Sequence, residues 1–485
     1  EITTRLVGSE MCIRDSNISV YLAEKRFRRR LKSIAKRKKR RKKGILEFDK
    51  NRLYLLAAKK IKSYEDALVV FLPRNLSYLV YDTKSPFYIK KLEKEKSKKV
   101  RNFEVPECFS IIENETESYL LLRQIISAFI YQTCDEIWLD YKKCKKVDLV
   151  TQVFLDAILL EIDNFIKKCK KGNIYNKYVR LASVGGKNID DKSVNRLLNS
   201  VGSPTELIKR RILYKDIIPY RLRCFDGEGL GHESMLAQKE IDTTTLLDYV
   251  NSCLKRVKKK LSREAMRDLG CVIGETLINA EEHSSLKYRY LIGYFEECMD
   301  GKRHFGMLNL VILNFGQTIY EKFKYPNEDS SINFDCLAKM KELSDSFKSR
   351  NIFKKDAFTE ETLWTLYSLQ EGVSCIPKEI CKRGNGTIQF IDSFFKLKGN
   401  DKADNISRMY LLSGNTRIEF DGTYKLVDIK DENGTSRGII SFNKSGKLTD
   451  VPDKKYVYTV PNYFPGTAIF AKLLINDDDL NNEQN

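Results

Sequence analysis

Three patterns in the sequence predict an α/β protein made of two units. Residues 106–225 alternate short apolar runs with helix-period runs, the mark of a small, mostly parallel sheet covered by helices. Residues 264–285 repeat apolar positions at helical spacing on one side and polar positions on the other. Residues 288–313 and 407–475 then carry strand-like runs joined by Gly-containing turns, so a mixed sheet covered by helices is predicted for the C-terminal half.

The elements follow in chain order. Residues 1–16, EITTRLVGSEMCIRDS, resemble a translated sequencing adapter and are set aside, with Cys12, from fold reasoning. Residues 17–45 form a basic arm. Within it, 24–43 carry fourteen Lys or Arg against one Glu, so +13 of the chain's +20 sits in this run. Such a run cannot pack a core and repels itself. It reads either as a solvated linker or as a phosphate-seeking arm that contacts nucleic acid non-specifically. Residues 46–105 have no assigned role; Leu53–Ala58 is expected as a helix, Ala67–Leu72 as a strand and Lys90–Lys99 as a charged linker.

The first patterned unit is placed at 106–230. Its expected elements are a strand at Phe109–Ile112, a helix through Ala128, a buried strand at Glu136–Asp140, a helix over Val150–Phe165 and a strand over Tyr178–Val184. The second unit is placed at 240–477. Asp242-Thr-Thr-Thr245 is read as the N-cap of a helix Leu246–Lys260. In the next helix Ile273, Leu277 and Ala280 share one side with Met266 and Leu269. On the other side Glu275, Asn279 and His283 recur every four residues, each about 40° round from the last. Strands at Tyr288–Phe295 and Phe305–Leu313 flank a Met-Asp-Gly turn, and residues 478–485 are an acidic tail expected to fray.

Composition excludes several classes. No apolar run reaches the eighteen residues or so of a membrane span. Twelve scattered cysteines without a C-x-x-C, and only three histidines, give neither a disulfide framework nor a zinc site, which fits a reducing, cytosolic setting.

Glu275-x-x-x-Asn279-Ala280-x-x-His283 resembles the N-box of the GHKL ATPase superfamily, in the form closest to the anti-sigma-factor serine kinases. The resemblance implies ATP and Mg²⁺ as cofactors, with Asn279 holding the metal, Glu275 orienting or deprotonating the attacking group, and His283 completing the box. The chemistry is sound. Mg²⁺ takes hard oxygen ligands and keeps most of its waters, and a carboxylate one turn away reaches a nucleophile aligned with the γ-phosphate. Asn314-Phe-Gly316-Gln317-Thr318 resembles the G1 box, with Asn314 where the family has an Asp that accepts from the adenine amino group. An Asn oxygen can still accept, without charge assistance. Residues 321–382, with helices expected at Phe334–Phe347 and Thr359–Leu369, correspond to a nucleotide lid. Arg383-Gly384-Asn385-Gly386-Thr387, opening an apolar run, resembles the G2 box, which captures phosphates on backbone N–H groups. Pro465-Gly466-Thr467 is similar to the start of the last sheet strand, whose Thr supports the adenine site.

Trp138-Leu-Asp140-x₇-Asp148 resembles a STAS domain. Leu149 stands where a phosphorylatable STAS domain has Ser, which implies a docking or sensing module with no phosphoacceptor of its own. The implied whole is a cytosolic regulatory or signalling protein that binds Mg-ATP, acts as an ATPase or serine-type protein kinase, and has a protein partner the sequence does not identify. The alternative is a nucleotide-free GHKL-fold scaffold whose basic arm binds nucleic acid.

Overall fold

A computed structural model describes residues 61–171, 179–200, 214–263, 266–267, 269–270, 273–274, 277, 285–300, 303–325, 334–350, 358–370, 373, 406–430, 436–475 and 481–482. The basic arm 24–43 and the helix expected at Leu53–Ala58 lie outside the described residues.

Helix α1 (Tyr64–Phe71) occupies the stretch expected as a strand. The reason is local as well as tertiary. The Asp66 N–H donates to Ser63 Oγ (3.1 Å) and the Ser63 N–H donates to the Asp66 carboxylate (3.2 Å), a reciprocal cap that starts a helix. Ala67, Leu68 and Val70 then fall on its buried side, and packing overrides the β-preference of the valines. Helix α2 (Arg74–Tyr81) follows from Pro73.

The next elements are β1 (Val100–Glu104), β2 (Cys108–Phe109), α3 (Glu115–Ile130), β3 (Glu136–Asp140), β4 (Lys146–Val147), α4 (Leu149–Lys171), β5 (Ser183–Lys187) and α5 (Lys192–Ser200). Strands β1, β3 and β5 form a parallel sheet in that order, and β2 pairs parallel to β4. The parallel layer is therefore present, with two shifts from expectation. The strand expected at Phe109–Ile112 stops at Phe109, because Ser110 Oγ accepts from the Ile112 and Glu113 N–H groups (3.2 and 2.9 Å) and turns the chain. The strand expected from Tyr178 begins at Ser183, because the N–H groups of Arg180 and Leu181 donate to the Gln132 side chain (2.6 and 3.0 Å) instead of to a ladder.

The C-terminal half runs β6 (Ile217–Asp226), α6 (His232–Arg256), β7 (Lys259–Lys260), α7 (helical at every described residue between 263 and 277), β8 (Tyr288–Asp300), β9 (Arg303–Phe315), α8 (Ile319–Lys324), α9 (Phe334–Arg350), α10 (Glu360–Ser368), β10 (Arg408–Phe420), β11 (Val427–Lys430), β12 (Ser436–Ile439), β13 (Val457–Ile475) and β14 (Asn481–Asn482). Five strands form one antiparallel sheet in the order β10-β13-β9-β8-β6. The expected hairpin is there as β8–β9. Strand β6 comes from residues that the sequence placed at the end of the N-terminal unit; it is an edge strand, where Pro219 leaves no ladder bond unmade. Helix α6 starts ten residues before the N-cap expected at Asp242 and runs straight through Asp242-Thr-Thr-Thr245. There the Asp242 carboxylate pairs with Arg289 on β8, and the Thr245 hydroxyl donates to the Ile241 carbonyl one turn back (2.7 Å). At the expected frayed tail, Asn481 and Asn482 pair with β7.

The fold is thus mixed α/β, and the five-stranded sheet is its middle layer. Alternation sends Val311, Leu313 and Phe315 to one face, where they join α2, α3 and α4 in a core that includes Leu79, Phe129, Phe154 and Ile158. Leu310 and Ile312 go to the other face, against Leu246 and Val250 of α6, Leu269, Ile273 and Leu277 of α7, and Leu363 of α10. Helix α4 lies between this sheet and the three-stranded one, which is why it is buried nearly all round and even Thr151, Gln152 and Asp156 are inside. No described helix is long and apolar enough to cross a membrane.

One acid is carried into the seam between α4 and the central sheet. Glu161 Oε1 accepts from Asn75 Nδ2 of α2 (3.3 Å) and from the Tyr290 hydroxyl of β8 (3.2 Å). Burial pushes the Glu161 carboxyl above the usual carboxylate range, against the pull of those two bonds. A raised folded-state value means folding takes up a proton, so this group's contribution to stability is lost as pH rises from the ordinary carboxylate range through the raised value. Glu161→Gln is therefore expected to flatten that part of the pH–stability curve and to unfold at no lower urea concentration at neutral pH. Urea midpoints compared at about pH 5 and about pH 8 check it.

Candidate functional site

The residues expected to face a nucleotide base meet at one end of the central sheet. Strand β9 ends in Asn314 and Phe315, and antiparallel pairing sets Asn314 opposite Thr467 of β13. Thr467 is in turn opposite Ser413 of β10. Directly opposed residues on antiparallel strands point to the same face, so Asn314, Thr467 and Ser413 make a polar row across three strands. The row continues the face of Ile312 and Leu411, the face against which α7 packs.

Backbone geometry explains why the strands can approach so closely here. Gly466 has φ +156°, and a Cβ on it would lie 2.8 Å from Phe315 Cα and inside the Asn314 carbonyl oxygen. Only glycine fits. Beyond Phe315 the chain turns at Gly316 (φ +124°), whose N–H donates to the Pro465 carbonyl (3.1 Å). The Gly316 carbonyl accepts from the Tyr78 hydroxyl of α2 (2.8 Å), and the Gln317 N–H donates to Ser285 Oγ (3.2 Å), just past the α7 region. The turn is thus tied both to the N-terminal unit and to the segment that follows α7.

Electrostatics around the turn come from paired groups. Thr318 Oγ1 accepts from the Glu321 N–H (3.2 Å) and caps α8, so this hydroxyl serves the backbone. The Glu321 carboxylate pairs with Lys84, whose ammonium also lies over the Tyr463 ring (5.7 Å). On β10, Gly414 (φ +58°) lets the Asn415 N–H reach the Glu361 carboxylate (2.8 Å). Burial pushes that carboxyl above its usual range.

The hydroxyls of the polar row are linked. Ser413 donates to the Gly466 carbonyl (3.1 Å) and accepts from the Ile319 N–H (3.0 Å), and its oxygen is 2.9 Å from that of Thr467. Asn314 differs. It is 4 % exposed, no described residue is seen to bond its side-chain amide, and that amide is not among the fully enclosed polar atoms left without a partner.

Of the expected site residues, the structure brings Asn314, Gly316 and Thr467 together and sets Thr318 beside them as a cap. Glu275, Asn279 and His283 of the N-box-like stretch, and Arg383, Gly384, Asn385, Gly386 and Thr387 of the stretch that resembles a G2 box, lie outside the described residues. Of the apolar side expected for the N-box-like stretch, Leu269, Ile273 and Leu277 are buried, Met266 is half-buried and Ala280 lies outside the described residues. Among the described residues no group of three or more His, Cys, Asp or Glu is placed to hold a metal ion, and Asn279 is not among those residues. At the STAS-like positions, Asp148 Oδ1 accepts from the Thr151 N–H (2.6 Å) at the start of α4, and Leu149 is buried in the core. Sequence reasoning missed Ser413, Ser285 and Tyr78. Each acts across a long sequence separation, and only the strand alternation around Ser413 hinted at its face. Comparison with family models, curated proteins and solved structures finds no match to this chain.

Proposed function

We propose that the C-terminal half binds a purine nucleoside triphosphate, ATP, with Mg²⁺ in a GHKL-type site of a cytosolic regulatory protein. The observation that carries this reading is the polar row at the strand ends: Asn314 in register with Thr467, and Thr467 with Ser413, on the sheet face that carries α7. The Asn314 oxygen can accept from an adenine amino group at the place where the G1-like turn ends the strand. The order of segments supports the rest, since α7, in the stretch where the sequence carries the N-box-like residues, packs on that same face through Leu269, Ile273 and Leu277. In this reading Asn279 ligates Mg²⁺ and residues 383–387 hold phosphates, while Glu275 aligns water or a partner's hydroxyl. The buried Leu149 leaves the STAS-like segment without an acceptor there, so transfer is directed elsewhere.

Thermal unfolding of the full chain tests the proposal. Mg-ATP at a hundredfold excess over its dissociation constant should stabilise the fold by about 2.7 kcal/mol. Asn314→Leu should abolish that shift while the protein stays folded. No shift with ATP, ADP or GTP at millimolar level in the unmodified protein would refute nucleotide binding.

A further inference from the structure

We propose that Ser413 is the specificity-determining residue of this site: it fixes the Thr467 hydroxyl as a pure acceptor, so that the site selects a purine bearing a 6-amino group. The inference rests on the nucleotide reading above and goes beyond it by assigning base choice to a residue on a different strand from Asn314.

The argument is an account of protons and lone pairs. A hydroxyl has one proton to donate and two lone pairs to accept with. Ser413 gives its proton to the Gly466 carbonyl, which can only accept. One lone pair takes the Ile319 N–H. The 2.9 Å contact with Thr467 must then run from the Thr467 hydroxyl into the second lone pair of Ser413. Ser413, almost fully buried, is saturated. Thr467 is left with its proton spent and its lone pairs unengaged among the described residues, and it is partly exposed where Ser413 is not.

Asn314 beside it has no such constraint. Its amide is held by no described residue, so it can present either oxygen or NH₂. Taken alone, an unheld amide reads adenine and a 6-oxo purine equally well, by a half-turn. Thr467 breaks the tie. A 6-amino group has two protons, one for the Asn314 oxygen and one for the Thr467 oxygen. A 6-oxo group has none, and it meets the Thr467 lone pairs with nothing between them. Removing the Ser413 hydroxyl frees the Thr467 proton to rotate toward the ligand, which lets Thr467 donate to a 6-oxo group.

Calorimetric titration of the full chain with Mg-ATP and Mg-inosine triphosphate, which replaces the 6-amino group by oxygen, tests this. The unmodified protein should prefer ATP by about tenfold, the worth of one hydrogen bond gained against one acceptor left facing another. In Ser413→Ala the preference should fall to about twofold or less, while Ser413→Thr, which keeps the hydroxyl, should retain it. A purely structural role would weaken both nucleotides alike and leave the ratio unmoved. Should Ser413→Ala fail to fold, Thr467→Val decides, because it removes the acceptor itself and should level the two affinities. Equal affinities in the unmodified protein, or an unchanged ratio in the folded variants, overturn the role of Ser413 and leave ATP binding standing. Failure of both nucleotides to bind overturns the underlying reading.

Discussion

Asp242→Ala is expected to lower the stability of the fold by about 3–5 kcal/mol, the usual result of stripping one partner from a buried ion pair. Arg289 is 1 % exposed and Asp242 5 % exposed, and the pair joins β8 to the middle of α6. The guanidinium also lies over the Phe225 ring (4.8 Å), and Asp242 Oδ1 accepts from Gln238 Nε2 (3.0 Å). Alanine takes the Asp242 carboxylate away from the enclosed Arg289 guanidinium and from Arg223, at a cost well above that of an exposed pair. Asp242→Asn keeps an acceptor and should recover part of the loss. Urea unfolding followed by far-ultraviolet circular dichroism measures both; a loss under about 1 kcal/mol for the alanine variant would mean that the pair does not hold α6 to the sheet.

Gly466→Ala is expected to cost about 3 kcal/mol and to abolish nucleotide binding together, because the new methyl group has backbone on its far side. A clash with a flexible side chain can relax. Here the obstacles are the Asn314 carbonyl oxygen and Phe315 Cα, so β13 and β9 must separate at the one place where Thr467 and Asn314 face each other. Gly446 provides the contrast: it has φ +71° but open space around its Cβ position, so alanine there meets only backbone strain. Thermal unfolding with and without Mg-ATP separates the two consequences. A Gly466→Ala protein that keeps full affinity would show that the strand spacing is irrelevant to the site.

How much of this was legible in the sequence depends on the range of the interaction. The β8–β9 hairpin was legible because alternation and a Gly turn are local, and so was the apolar side of α7 at Leu269, Ile273 and Leu277. The register that sets Asn314 against Thr467 was not, since more than a hundred and fifty residues separate them in the chain. Asp242 read as a cap because Asp before a periodic run usually is one; its partner Arg289, forty-seven residues on, decided otherwise. Ala67–Leu72 read as a strand from its valines, while the Ser63–Asp66 cap set a helix. Strand β6 was missed because Pro219 interrupts a pattern that an edge position tolerates.

The placing of α4 between two sheets has a consequence for how the chain can be regulated and divided. The layer that covers Val311, Leu313, Phe315 and Phe464 is made of the N-terminal helices, and the Tyr78 hydroxyl and the Lys84 ammonium reach from that layer to Gly316 and Glu321. The two halves are therefore not a receiver and an effector joined by a hinge, and cutting them apart would leave each with half of a common interior. A partner that grips the outer, three-stranded sheet presses on α4, and α4 presses on the very strands whose ends carry Asn314 and Thr467. Among the described residues, the two sheets are joined through one continuous packed interior.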